Sequence, residues 1–208
     1  MKTWTAKLKD RDVVATTDQL RQFFSFYVSD ADLLARMSEL LLFSIYVLEQ
    51  SFGVSPRDVL NSIENLEAGE PPSGIKSATQ FKKLPLKGIW HKHYFSAVFL
   101  VNNIILALGK DGTEKLVDKV MGQSDSPVIT REMINDLTHR VVVESFENRQ
   151  ADGKVTGEWL LFTKHGGKNY YLDLNTHGAG DAFIYDRIME HCVPDFPDLK
   201  AWIAASNT

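Results

Sequence analysis

The run Trp90-His91-Lys92-His93-Tyr94 holds the residues of this chain best suited to chemistry. In an extended strand, residues two apart lie on one face, so His91 and His93 would point the same way. Imidazole changes charge near neutral pH. Two imidazoles on one face can act on a phosphodiester as base and acid. One takes the proton of the attacking hydroxyl and the other protonates the leaving oxygen. Lys87 or Lys92 would offset the charge that builds on the phosphate. In a helix the two rings diverge, and the histidines become polar residues at a helix start.

A second set lies near the C-terminus. Two β-prone runs, 157–164 and 169–176, flank His165-Gly166-Gly167-Lys168, which predicts a hairpin. Its rim collects Lys164, His165, Lys168, Tyr170, Tyr171, His177 and Asp181. A basic rim with exposed aromatics can hold a nucleic-acid backbone and stack a base. His177 beside Asp181 could be an oriented imidazole, with Lys164 and Tyr170 assisting. The same residues also read as ordinary turn chemistry, with the glycines making the turn and Asp181 capping the next helix. His91 and His93 with His177 or Asp181 would suit zinc, but about eighty residues separate the two pairs, and no metal and no cofactor are expected. Phosphate-loop, dinucleotide-turn, nucleophile-elbow and zinc-protease motifs are absent.

Charge distribution adds a third signal. The chain has 23 basic and 27 acidic residues, a net charge of −4. Residues 71–110 nevertheless contain no Asp or Glu and six lysines: Lys76, Lys82, Lys83, Lys87, Lys92 and Lys110. Such an island suits an anionic partner, either RNA, a nucleotide or an acidic protein surface. Lys82, Lys83, Lys87, Lys92, Lys164, His165 and Lys168 are therefore the candidate binding residues. His91, His93, His177 and Tyr170 are the candidate catalytic ones. The expected function is binding of an anionic partner, as a non-catalytic inhibitor or adaptor. The alternative is metal-independent ribonuclease or phosphodiesterase chemistry. Helices placed before an antiparallel sheet, with His, Lys and Tyr as working groups, resemble the small toxin-type ribonucleases of bacteria, an analogy at the level of fold.

These residues must be positioned by the elements around them. Thr3–Ala15 shows short alternations that predict one or two strands, and 19–27 has helical spacing. Ser29-Asp30-Ala31-Asp32 starts a leucine-rich helix over 30–50, stopped by Gly53. Its triplet Leu40-Leu41-Leu42 is wider than one buried face needs, which suggests a homo-oligomer interface on this helix; for the chain as a whole, a protein partner is the other possibility. Ser55-Pro56 starts a further helix to about Glu67. Residues 71–93 read as a long basic loop and 94–108 as a buried core helix. Helices are expected over 113–121 and 131–150, and from Asp181 onward with Phe183, Ile184, Ile188 and Cys192 inward. In the second hairpin strand, Tyr170, Leu172 and Leu174 alternate with Tyr171, Asp173 and Asn175, the pattern of a half-buried strand.

The expected fold is a mixed α+β single domain over 1–208. It is mostly helical over 1–70, then has the basic loop 71–93. Residues 94–208 supply helices and a C-terminal hairpin, extended by the N-terminal strands, and a final short helix. Only one cysteine is present, so no intrachain disulfide forms. The N-terminal residues lack the apolar core of a signal peptide, and the longest oily run is too short to cross a bilayer. Together these features point to the cytoplasm and away from membranes.

Overall fold

The computed structural model describes residues 2–8, 11–69, 77–94, 111–122, 130, 136–137, 158–176 and 178–206. The chain gathers into two compact units. One comprises Met1–Ser96 and Gly157–Thr208, the other Ala97–Thr156. The architecture is mixed α+β, with antiparallel pairing in both sheets.

In the first unit, β1 (Thr3–Lys7) and β2 (Asp12–Thr16) form a sheet of their own. Contrary to the expectation from sequence, they do not extend the C-terminal hairpin. Instead they pack toward the helices. Trp4 stacks on Phe43 at 5.5 Å, and its Nε1 donates to Glu39 Oε2 at 3.3 Å. Helix α1 (Thr17–Ser25) starts in a capping box between Thr16 and Gln19.

The leucine-rich helix is two helices, α2 (Ala31–Ala35) and α3 (Glu39–Phe52). The break has a tertiary cause. Met37 forms a bridge with Tyr171, and the Ser38 N–H donates to the Tyr171 carbonyl at 2.9 Å. The Ser38 hydroxyl donates to the Leu172 carbonyl at 2.5 Å and caps α3 by accepting from the Leu41 N–H at 3.0 Å. Leu40, Leu41, Leu42, Phe43 and Ile45 are all buried. Each contributes about 2 kcal/mol. The width that suggested an interface between copies is therefore used inside this chain. Gly53, at φ 64°, supplies the left-handed stop. Helix α4 (Pro56–Glu67) follows, capped by Ser55 as its sequence predicts.

The second sheet has four strands in the order β3 (Thr79–Gln80), β4 (Trp90–Tyr94), β5 (Glu158–His165) and β6 (Lys168–Thr176). The β5–β6 hairpin has the expected strands, and Gly166 and Gly167, at φ 56° and 76°, make its turn. Its neighbour is the surprise. Residues 79–80 and 90–93, read from the sequence as loop, are strand, and β4 pairs along β5 from Trp90 opposite Phe162 to Tyr94 opposite Glu158. Tyr94 thus ends a strand instead of starting a helix. Residues 95–110, the remainder of that expected helix, lie outside the described residues.

Strand β6 is not half-exposed: Tyr171, Leu172, Asp173 and Leu174 are all buried. Two side chains explain how a carboxylate is tolerated there. Arg187 Nε lies 2.8 Å from Asp173 Oδ2, and the Ser44 hydroxyl donates to Oδ1 at 2.7 Å. Helix α6 (Asp181–Cys192) buries Ile184, Ile188 and Cys192, but Phe183 is 56% exposed. A last helix, α7 (Leu199–Ala205), was not expected; it packs on β5.

The second unit contains α5 (Gly112–Gly122), which matches the helix expected over 113–121, with Val120 buried. Of the helix expected over 131–150, the described residues 136 and 137 are helical.

Candidate functional site

The antiparallel register decides what the expected residues can do together. Strand β4 begins where β5 ends, so the β3–β4 turn and the β5–β6 turn stand at the same end of the sheet. The β3–β4 turn is fixed from inside. Leu86 and Ile89 are fully buried, and the Phe81 N–H donates to the Ile89 carbonyl at 2.9 Å. Its outer side presents Lys82, Lys83 and Lys87, all exposed. From β5, the exposed Lys164 places its ammonium 4.0 Å over the Trp90 ring. None of these four lysines forms an ion pair among the described residues. Lys168, at the second turn, is held 2.8 Å from Asp32.

His91 and His93 share one face of β4, as an extended segment requires, with ring centroids 6.0 Å apart. Both are half-buried in an aromatic cluster. His91 lies 4.4 Å from Phe81 and 5.1 Å from Trp159, and His93 lies 6.5 Å from Trp159. Thr79 Oγ1 is 3.0 Å from His91 Nε2, which ties that nitrogen to the edge strand. Lys92 points to the opposite face and is 2% exposed, and burial lowers its ammonium below the usual lysine range. It therefore stands away both from the histidine pair and from the exposed lysines.

His165 and Tyr170 are occupied by α7. His165 stacks on Trp202 at 4.6 Å with the rings 10° apart. Tyr170 meets Trp202 at 4.5 Å and Phe196 at 5.4 Å. Tyr171, an aromatic of the expected rim, is fully buried, and its hydroxyl donates to Glu67 at 2.6 Å. The imidazoles of His91 and His165 thus sit in separate aromatic contacts on one sheet. His177 lies outside the described residues. Asp181 does not cap α6 as expected: the N-cap is Gly180, at φ 86°, and Asp181 is the first residue of the helix.

The chain matches no family model, no curated protein and no solved structure. Its function must therefore be sought in its own residues. Among the described residues, no group of three or more His, Cys, Asp or Glu is placed to hold a metal ion. No helix among them is long and apolar enough to cross a membrane.

Two polar groupings were not anticipated from sequence. In one, Arg36 joins three elements. It is bidentate to Glu67 at 3.0 and 2.6 Å, donates from Nε to Asp32 at 3.0 Å, and donates to the Asn169 carbonyl at 2.8 Å. Burial pushes the Glu67 carboxyl up, but the bonds from Arg36, Tyr171 and Asn169 outweigh it and hold its pKa below the usual range. This network is fully satisfied and reads as a structural clamp. The other grouping surrounds Glu158 and Arg187 in a cleft beside β1. Its only sequence trace is the stripe Phe183, Arg187, His191, four residues apart on α6. Cys192 is no nucleophile: burial raises its thiol pKa, and it donates to the Leu172 carbonyl at 3.3 Å.

Proposed function

We propose that the chain binds a polyanion, with RNA as the first candidate, at the lysine-bearing end of the four-stranded sheet. One observation carries this reading. The β4–β5 register brings Lys82, Lys83 and Lys87 to the same end of the sheet as Lys164, all exposed and without ion pairs among the described residues. Unneutralised ammonium groups on a rigid turn attract phosphates and release their counterions. The Trp90 ring beneath Lys164 is partly exposed and adds a surface for a base. Anisotropy of a labelled single-stranded RNA, followed across salt concentration, tests it. The triple variant K82E/K83E/K87E should bind at least about tenfold more weakly and flatten the slope of log K against log salt by roughly 0.7 per lost phosphate contact. Binding that is insensitive to salt, or unchanged in the triple variant, removes the reading.

A catalytic version keeps one specific support, the histidine pair 6.0 Å apart on one face. In it, His91 and His93 are acid and base in metal-independent ribonuclease chemistry. Incubation with total RNA in EDTA, beside the H91A/H93A variant, decides between binding and cleavage. Cleavage that survives in the double variant is a contaminant's.

A further inference from the structure

A cleft of about 540 Å³ opens between β1, α3, α6 and the Glu158 end of the sheet. Its size is that of small-molecule sites. The walls are largely apolar: Trp4, Phe43, Val47, Leu48 and Phe183. Phe183 is a large aromatic that the core leaves 56% exposed on the rim.

Two cations, Lys2 and Arg187, and one carboxylate, Glu158, line this cleft, with the buried Asp173 behind Arg187. Arg187 is matched by the fully buried Asp173 at 2.8 Å, and its Nη2 donates to Ser44 at 3.1 Å. Lys2 lies over the Trp4 ring at 3.6 Å. Burial lowers the His191 pKa and so disfavours its charged form. Glu158 remains. It is half-buried and has neither a hydrogen bond nor an ion pair among the described residues. Burial alone raises its carboxyl to about 7. Buried carboxylates are normally paired or hydrogen-bonded; this one faces an aromatic-walled space instead.

We propose that the cleft binds an organic cation, with a ligand ammonium seated on the Glu158 carboxylate and an apolar body against Trp4, Phe43, Val47 and Phe183. A carboxylate ligand would meet Glu158 as a like charge; Arg187 is already matched by Asp173, and Lys2 is seated on the Trp4 ring face. Aromatic faces favour a cation further. The site is separate from the lysine-bearing end of the sheet and does not depend on it.

Calorimetric titration of the full chain at pH 8.5 tests this with octylammonium, octyltrimethylammonium, octanol and octanoate. Octylammonium should bind at least about tenfold tighter than octanol, a preference of about one decade in Kd, and octanoate should bind weakest. The trimethyl compound separates charge from N–H donation. Affinity retained with it assigns recognition to charge and ring faces, and affinity lost to the level of octanol overturns the aromatic part of the proposal. E158Q, which keeps the side-chain shape, should reduce octylammonium to the level of octanol. V47W fills the cleft and should weaken both ammonium ligands at least about tenfold; F183A, on the rim, weakens them without entering the core. Lowering the pH to 5.5 should weaken octylammonium binding to the wild type. His191, Lys2, Arg187 and Asp173 also face the cleft, and His191 gains charge in the same direction, so the difference between wild type and E158Q isolates Glu158. Octanoate or octanol binding as tightly as octylammonium, or E158Q binding it unchanged, overturns the proposal.

Discussion

The E158Q substitution also reads the electrostatics of the cleft in the absence of any ligand. Burial raises the Glu158 carboxyl from its ordinary 4.5 to about 7 in the folded protein. Between those two pH values the folded chain holds a proton that the unfolded chain has lost. Stability therefore falls as pH rises through this window and levels off above about pH 7. The difference between 4.5 and about 7, at about 1.4 kcal/mol per pH unit, sets a ceiling of about 3 kcal/mol lost by the wild type above neutrality. Gln carries no charge to desolvate and should escape this loss. Urea unfolding of both proteins from pH 4.5 to 8.5 measures it. The curves should nearly coincide at the acid end and separate as pH rises, with E158Q the more stable by up to about 3 kcal/mol, a midpoint shift on the order of 1 M urea. A gap that does not change with pH, or an E158Q protein less stable at pH 8.5, would show that Glu158 has a partner. That result would also remove the unpaired carboxylate on which cation binding rests.

Other expectations concern the framework. Arg36→Met leaves Glu67 and the Asn169 carbonyl without their cation, and should cost about 3 kcal/mol in urea unfolding at pH 7. Because Glu67 is held below its ordinary pKa in the folded state, its pairing stabilises the protein above the ordinary carboxylate range. That contribution is lost as pH falls through the depressed value, and R36M should flatten this acid limb. Ser38→Ala removes both the α3 cap and the bond to the Leu172 carbonyl, and about 1–2 kcal/mol is expected from thermal or chemical unfolding. Cys192 should resist iodoacetamide in the folded protein and react once urea unfolds it; rapid labelling without denaturant would contradict its burial.

Much of the local structure was legible. Ser55-Pro56 and Gly53 marked helix ends because a cap needs only its own neighbours to satisfy free backbone groups. Gly166-Gly167 marked the hairpin because only glycine takes positive φ without strain. The spacing of His91 and His93 stated in advance that a strand would place them together, which it does. What could not be read was which backbone each strand would meet. Trp90–Tyr94 is flanked by an acid-free, turn-rich segment and an oily run, and nothing local says that β5 lies beside it. The break at Met37–Ser38 is similar: helical spacing runs across it, and the carbonyls of Tyr171 and Leu172, more than 130 residues on, supply the partners that make a break favourable.

The amino-acid sequence by itself determined the caps, the turns, the alternation of the hairpin and the concentration of lysines. Each of these depends on a residue and its near neighbours along the chain. Tertiary structure alone decided that the lysine-bearing turn would share one end of a sheet with Lys164, that Lys92 would be buried, that Tyr170 would pack under Trp202, and that Glu158 would stand in a cleft without an ion pair among the described residues. The physical reason is that burial and charge pairing are set by distance in space. An Asp173 that meets Arg187 and a Glu158 that meets no partner among the described residues are the same kind of group, made different by what the fold brings within about 3 Å.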